Sequence, residues 1–194
     1  MTIQRPGNRW QRSSSGRQPT RAYIDESARA SYLICAVVVV GDASAIRSAV
    51  RQLPQAGSHR VHMAKESKRR RRELLTAIAP MELQAFVATS PLTGRDSQRS
   101  ARDRCLRQLV EWLVAAAVDE LVIESCDQDQ DDDRAVLAAL YGLNATGALT
   151  YCHRRPHDEP LLWLPDMIAW AHGAGGEWAP RVAQLITRRA RLAA

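Results

Sequence analysis

The stretch RAYIDESARASYLICAVVVVG, residues 21–41, decides how the chain is read. Ser31 to Val40 is an almost unbroken apolar run rich in Val and Ile, which predicts a long buried strand. Arg21 to Asp25 predicts a shorter strand before it, and the tight turn expected at Ser27 to Ala30 joins the two as a β-hairpin. Asp25 and Glu26 are then out of place, because a carboxylate taken into a low-dielectric interior costs several kcal/mol unless a cation or a proton compensates it. Successive strand side chains alternate, so Asp25 is expected to face inward and Glu26 the other way.

Working outward, Asp42 to Arg51 predicts a helix capped by Asp42. Ser67 to Ala79 predicts a second, with Leu74, Leu75 and Ile78 on one face and Pro80 ending it. Glu82 to Thr89 alternates as a third strand. Leu106, Leu109, Val110, Leu113, Val114, Ala117 and Val118 recur at helical spacing inside a long helix spanning Asp96 to Val118. Glu120 to Ser125 predicts a fourth strand, Arg134 to Tyr141 a helix, and Ala148 to His153 a fifth strand. Leu164 to His172 predicts a helix stopped by Gly173, and Ala179 to Ala190 a last amphipathic helix. The order is a leading antiparallel set followed by alternating helices and strands. It implies an α/β domain, a mixed five-stranded sheet flanked by helices, with a helical insertion after the second strand. This is the order of an RNase H-like fold.

The chain has 194 residues, 45% apolar and 25% charged, enough for one well-cored domain over residues 21–194. Its net charge of +6 is concentrated: Arg5, Arg9, Arg12, Arg17 and Arg21 stand among Pro, Gly, Gln and Ser with no acid. Residues 1–20 are therefore expected to form a disordered basic arm. No apolar run is long enough to span a bilayer, and the N-terminal residues lack a signal peptide's apolar centre, so the expectation is a cytoplasmic protein without a membrane. Cys35, Cys105, Cys126 and Cys152 show no Cys-x-x-Cys spacing and are expected to be reduced.

Three acids fall where strand ends and a helix start should converge: Asp25 on the first strand, Glu124 at the end of the fourth, and Asp166 opening a late helix. Ligands of open mixed sheets sit at such strand ends. Hard divalent cations bind through carboxylate oxygens, and a pair about 3.5–4 Å apart clamps the attacking and leaving oxygens of a phosphodiester. Each acid also has an ordinary structural role open to it, as a turn residue, a solvent-side strand end or a helix first-turn acid.

YIDES followed by a strand, then RVHMAKESKRRRRELLTAI, then LLWLPDMIAW, resembles a widespread bacterial domain family of unknown function. That family is marked by a Tyr-Ile-Asp-Glu-Ser-Gly strand end and a Gln-Leu-Ala-Asp-Leu-Ile-Ala helix, and it is regarded as RNase H-like. The resemblance spans roughly residues 22–175. It implies a metal-dependent nuclease in which Asp25 and Asp166 hold Mg²⁺ or Mn²⁺, with Glu124 as a third acid and nucleic acid as partner. Ala28 replaces the family's Gly, and Pro165 replaces the small residue before Asp166, which puts that acid in a helix's first turn or at a kink. A member without activity would be a binding module for nucleic acid or protein.

His62, in HRVHMAKES, stands where the family carries a histidine, and its ordinary pKa near neutrality suits a general acid or base. Within the long helix, Asp103 is the preferred fourth carboxylate, ahead of Glu111. Lys65, Lys68, Arg69, Arg70, Arg71 and Arg72 form the densest basic run of the folded part, which suits contact with a phosphate backbone. Aromatic residues are too sparse there for a base-stacking surface. His59, His62, Cys152, His153 and His157 show no closed zinc spacing. DQDQDDDR, residues 127–134, lacks the glycine and distal glutamate of a calcium loop, so Asp131 to Asp133 are expected to cap a helix from Arg134, with Asp127 near Glu124.

Overall fold

The computed structural model describes residues 19–29, 31–92, 98–125 and 129–193. Two long antiparallel strands, β1 (Arg21–Ala28) and β2 (Ser31–Val39), lead the chain. Helices α1 (Ala43–Arg51) and α2 (Lys68–Ile78) follow, with a single 3-10 turn, Met63–Lys65, between them. The caps are those expected: the Asp42 carboxylate accepts from the Ser44 and Ala45 amides, and Ser67 Oγ from the Arg70 amide. After β3 (Leu83–Pro91) come α3 (Gln98–Ala115), β4 (Glu120–Glu124), α4 (Asp129–Gly142), β5 (Thr150–Arg154) and α5 (Trp163–Ala174). A 3-10 segment, Ala179–Leu185, leads into β6 (Ile186–Arg191).

The six strands form one mixed sheet in the order β5-β4-β1-β2-β3-β6. β2 lies antiparallel to both β1 and β3, while β4 runs parallel to β1, β5 to β4 and β6 to β3. Alternation along the strands builds two cores. Tyr23, Leu33, Cys35, Val37 and Val87 face α5, α2 and α1, while Ala22, Ile24, Ile34, Ala36 and Phe86 face α3 and α4.

Among the described residues the sheet has six strands rather than five. Residues 179–190, expected as one amphipathic helix, are a 3-10 segment and an edge strand, because ITRRAR pairs along β3 and only Ile186 of that strand is buried. β1 runs on to Ala28, so the two acids lie within the strand and the turn comes later. The acids of residues 129–133 form the first turn of α4 instead of capping a helix at Arg134, which suits the positive end of its dipole. α5 begins at Trp163, so Pro165 and Asp166 stand in its first turn. It passes through Gly173 and ends where Gly175 (φ 64°) takes the left-handed conformation open to glycine. The expected basic arm and Asp127 lie wholly or almost wholly outside the described residues. No helix among the described residues is long and apolar enough to cross a membrane.

Candidate metal centre

β1 and β4 run side by side in parallel register as far as Ile24 and Ile123. The next residues are Asp25 and Glu124. At this point the chain order reverses across the sheet, with β2 on one side of the β1-β4 pair and β5 on the other, which is the crevice where open sheets accept ligands. Asp166 reaches the same crevice from the first turn of α5, and a cavity of about 220 Å³ lies between the three acids. Its walls are apolar where Ile24, Ile34, Leu106, Ile123, Leu162 and Trp163 line it. That volume is below the roughly 300–1,000 Å³ typical of pockets for small organic ligands.

Asp25 is half-buried. Burial first, then the charges of Asp166 and Glu124, hold its carboxyl well above the usual carboxylate range; one hydrogen bond, from the Glu26 amide at 2.7 Å, opposes this. Burial likewise raises Glu124, with Arg60 opposing and Asp166 adding to the rise. Arg60 Nη1 lies 3.5 Å from Glu124 Oε1. Asp166 Oδ2 accepts from the Met63 amide at 2.9 Å and stands 3.5 Å from His62 Nδ1. Residues 60–62 thus form one wall of the cavity, with Arg60 a cation on it and Arg102 a second from α3.

Asp25, Glu124, Asp166 and His62 line this one cavity; Asp103 does not. A helix turns about 100° per residue, and α3 presents Arg102 and Leu106 to the cavity, which leaves Asp103 beside Arg99 instead. Glu26 turns to the α3 side of the sheet, where it accepts hydrogen bonds from Tyr32 Oη and from Arg102 Nε at 2.7 Å and, with Arg102, lines the cavity beside Asp25. Arg102 also grips both oxygens of the buried Asp132. Burial raises Asp132 to about 6 although Arg102 pulls it down. Sequence reasoning missed this network, yet its signal is visible: an arginine interrupts the buried stripe Ala101, Cys105, Leu106, Leu109.

A second acidic group lies on the same face. Asp129, Asp132 and His153 offer ligand atoms within 4.8 Å of one another. Arg102 occupies both oxygens of Asp132, and the two ring nitrogens of His153 face Asp129 at 3.1 Å and Asp133 at 2.9 Å. This group carries its own counter-charges, whereas of the four acids lining the Asp25 cavity only Glu26 is tightly paired, with Arg102 at 2.7 Å, and Asp25, Glu124 and Asp166 have looser cationic contacts or none.

The basic run of α2 is engaged within the fold. Lys68 and Arg72 pair with Glu177 at 2.7 and 2.8 Å, and Arg69 and Arg70 with Glu73 at 3.4 and 3.1 Å. Arg71 donates to the Met63 and Ala64 carbonyls and lies 4.3 Å over the Trp170 ring. Lys65 is exposed in the 3-10 turn.

No family profile and no curated protein matches the chain. Among solved structures it is similar to the crystal structure of the ribonuclease H2 from Pyrococcus horikoshii OT3. The two are 15% identical, with a TM-score of 0.49, over 86% of this chain and 75% of that one.

Proposed function

We propose that this chain is an RNase H-like, metal-dependent phosphodiesterase acting on nucleic acid, with Mg²⁺ or Mn²⁺ held by Asp25, Glu124 and Asp166. One observation carries the reading: three carboxylates from β1, β4 and α5 line one small cavity, and the other two raise Asp25. Such a set binds protons unusually well for the same reason it would bind a hard cation, which prefers carboxylate oxygen and keeps its waters. A bound divalent cation supplies Lewis acidity toward a phosphoryl oxygen and acidifies water.

The chain's own residues do the rest. Asp166, fixed by the Met63 amide, lies 3.5 Å from His62 Nδ1 and turns the opposite ring edge away from the carboxylate. Nε2 is then the ring atom placed to hold or pass the proton of an attacking water. Arg60 is the side chain placed to contact a phosphate oxygen, and the walls of Ile24, Ile123, Leu162 and Trp163 thin the surrounding water and strengthen each charge interaction.

The test is incubation with labelled single-stranded, duplex and hybrid oligonucleotides plus Mn²⁺, beside Asp25→Asn and Asp166→Asn. Cleavage by the wild type that chelator abolishes and both variants lose is the expected result. Absent cleavage, or equal cleavage by the variants, overturns the enzyme reading. The contact of Arg60 with Glu124 favours a second reading, a catalytically silent binding module whose acids are partly neutralised from within. Oligonucleotide binding without any metal-dependent cleavage would select it.

A further inference from the structure

We infer that the rim of the sheet at β2, β3 and β6 carries a groove for the phosphate backbone of the nucleic acid whose scissile bond lies at the acid cavity. The groove depends on the nucleic-acid reading above and lies on a surface which that reading does not use.

No acid follows Glu177 in the chain, yet Arg181, Arg188, Arg189 and Arg191 do. Unlike the α2 cations, Arg188, Arg189 and Arg191 have no acidic partner among the described residues. Arg188 lies 5.5 Å over the Phe86 ring and Arg189 donates to the Ala183 carbonyl at 3.2 Å. Arg191, the last residue of β6, lines a groove of about 490 Å³ with His172, Ser31, Thr89 and Ser90. Burial and the nearby Arg189 charge lower the His172 pKa, so near neutral pH its ring is an uncharged hydrogen-bonding group. Ser90 is buried and its Oγ accepts from Arg104 Nε at 3.1 Å and Nη2 at 2.8 Å, which brings a further cation behind the groove. Thr89 Oγ1 donates to the Ala190 carbonyl at 3.1 Å, so the donors facing the groove are the Ser31 hydroxyl, a neutral imidazole and a guanidinium without an acidic partner among the described residues, a set suited to phosphate oxygens.

The placement fits one strand of nucleic acid. β2 starts, and β3 and β6 end, at the edge of the sheet toward which β1 and β4 carry Asp25 and Glu124. At about 4.8 Å per strand, β3 and β6 lie roughly 10 and 14 Å from β1. Asp166 and His172 are six residues apart on α5, a rise of about 9 Å, so the helix leads from the cavity to the nearer side of the groove. Arg191 is level with Ser27, two residues beyond Asp25 along the strands, so it lies about 16 Å from the acid and, at roughly 3.4 Å of rise per nucleotide, meets a phosphate some five steps from the cavity.

The test is binding, not cleavage. Fluorescence anisotropy in EDTA follows labelled oligonucleotides of about 4 and about 12 nucleotides against the wild type, Arg191→Gln and Arg191→Lys. For the longer probe, Arg191→Gln is expected to weaken affinity about three- to tenfold and to lower the salt slope by about one, with Arg191→Lys restoring the slope. The shorter probe should bind both proteins alike. Unchanged affinity for the longer probe, no wild-type binding at low salt, or equal competition by polyglutamate overturns the groove. None of these outcomes touches the Asp25-dependent cleavage assay, which judges the acid cavity separately.

Discussion

Asp25→Asn is the substitution whose consequence is most directly worked from the site. The neighbouring Asp166 and Glu124, added to burial, make the folded protein hold the Asp25 proton more tightly than the unfolded chain does. Above the ordinary carboxylate pKa of about 4, the unfolded chain gives up that proton and the folded one keeps it. Stability therefore falls as pH rises, by up to about 1.4 kcal/mol per pH unit, until the folded pKa is passed. A domain of this size loses roughly 2–4 °C of Tm per kcal/mol, so the slope is about 3–6 °C per pH unit. Asparagine removes it. In EDTA, melting curves from pH 5 upward should show Asp25→Asn gaining on the wild type by that amount per unit, until the folded pKa is passed. Mn²⁺ at about 100 times its Kd should then restore about 2.7 kcal/mol to the wild type and far less to the variant. Parallel pH profiles for the two proteins, or an equal Mn²⁺ shift in both, would refute the coupling of these carboxylates and the cation site with it.

Arg102→Met strands the buried Asp132 and should cost about 3–5 kcal/mol in urea unfolding. Adding Asp132→Leu should recover most of that loss, so a double variant as weak as the sum of the singles would count against the network. Asp103→Asn should leave metal-dependent cleavage and the Mn²⁺-induced Tm shift at wild-type values, because α3 turns that side chain away from the cavity. Glu177→Gln frees Lys68 and Arg72, which together hold the Glu177 carboxyl down at about 2. If α2 reaches the phosphates, the salt dependence of oligonucleotide binding should steepen by one to two units, at roughly 0.9 for each phosphate neutralised.

What could be read from the chain followed from how strongly each segment's pattern matched its burial. β2 and α3 were legible because their apolar residues are buried where the pattern puts them, on both faces of a central strand and along one helical stripe. The caps Asp42 and Ser67 were legible because capping chemistry is local. β6 was not, because an arginine-rich edge strand buries one residue and owes its existence to pairing with β3, which no window of sequence contains.

The site divides along the same line. Period-2 alternation was enough to send Asp25 and Glu26 to opposite faces, and the contacts of Glu26 with Tyr32 and Arg102 follow it. The gathering of Asp25, Glu124 and Asp166 depends on a parallel β1-β4 register and on α5 crossing the sheet, both non-local. Arg60 and Arg102 escaped notice because each looked like an ordinary surface cation, and only the tertiary fold turns them toward carboxylates. Their different partners have a functional consequence. Arg102 is tied to Glu26 and the buried Asp132, so it is a fixed part of the cavity wall. Arg60 is half-exposed and meets Glu124 only at 3.5 Å, so under the proposed function a cation entering between the carboxylates would displace it at small cost and free it for a phosphate oxygen.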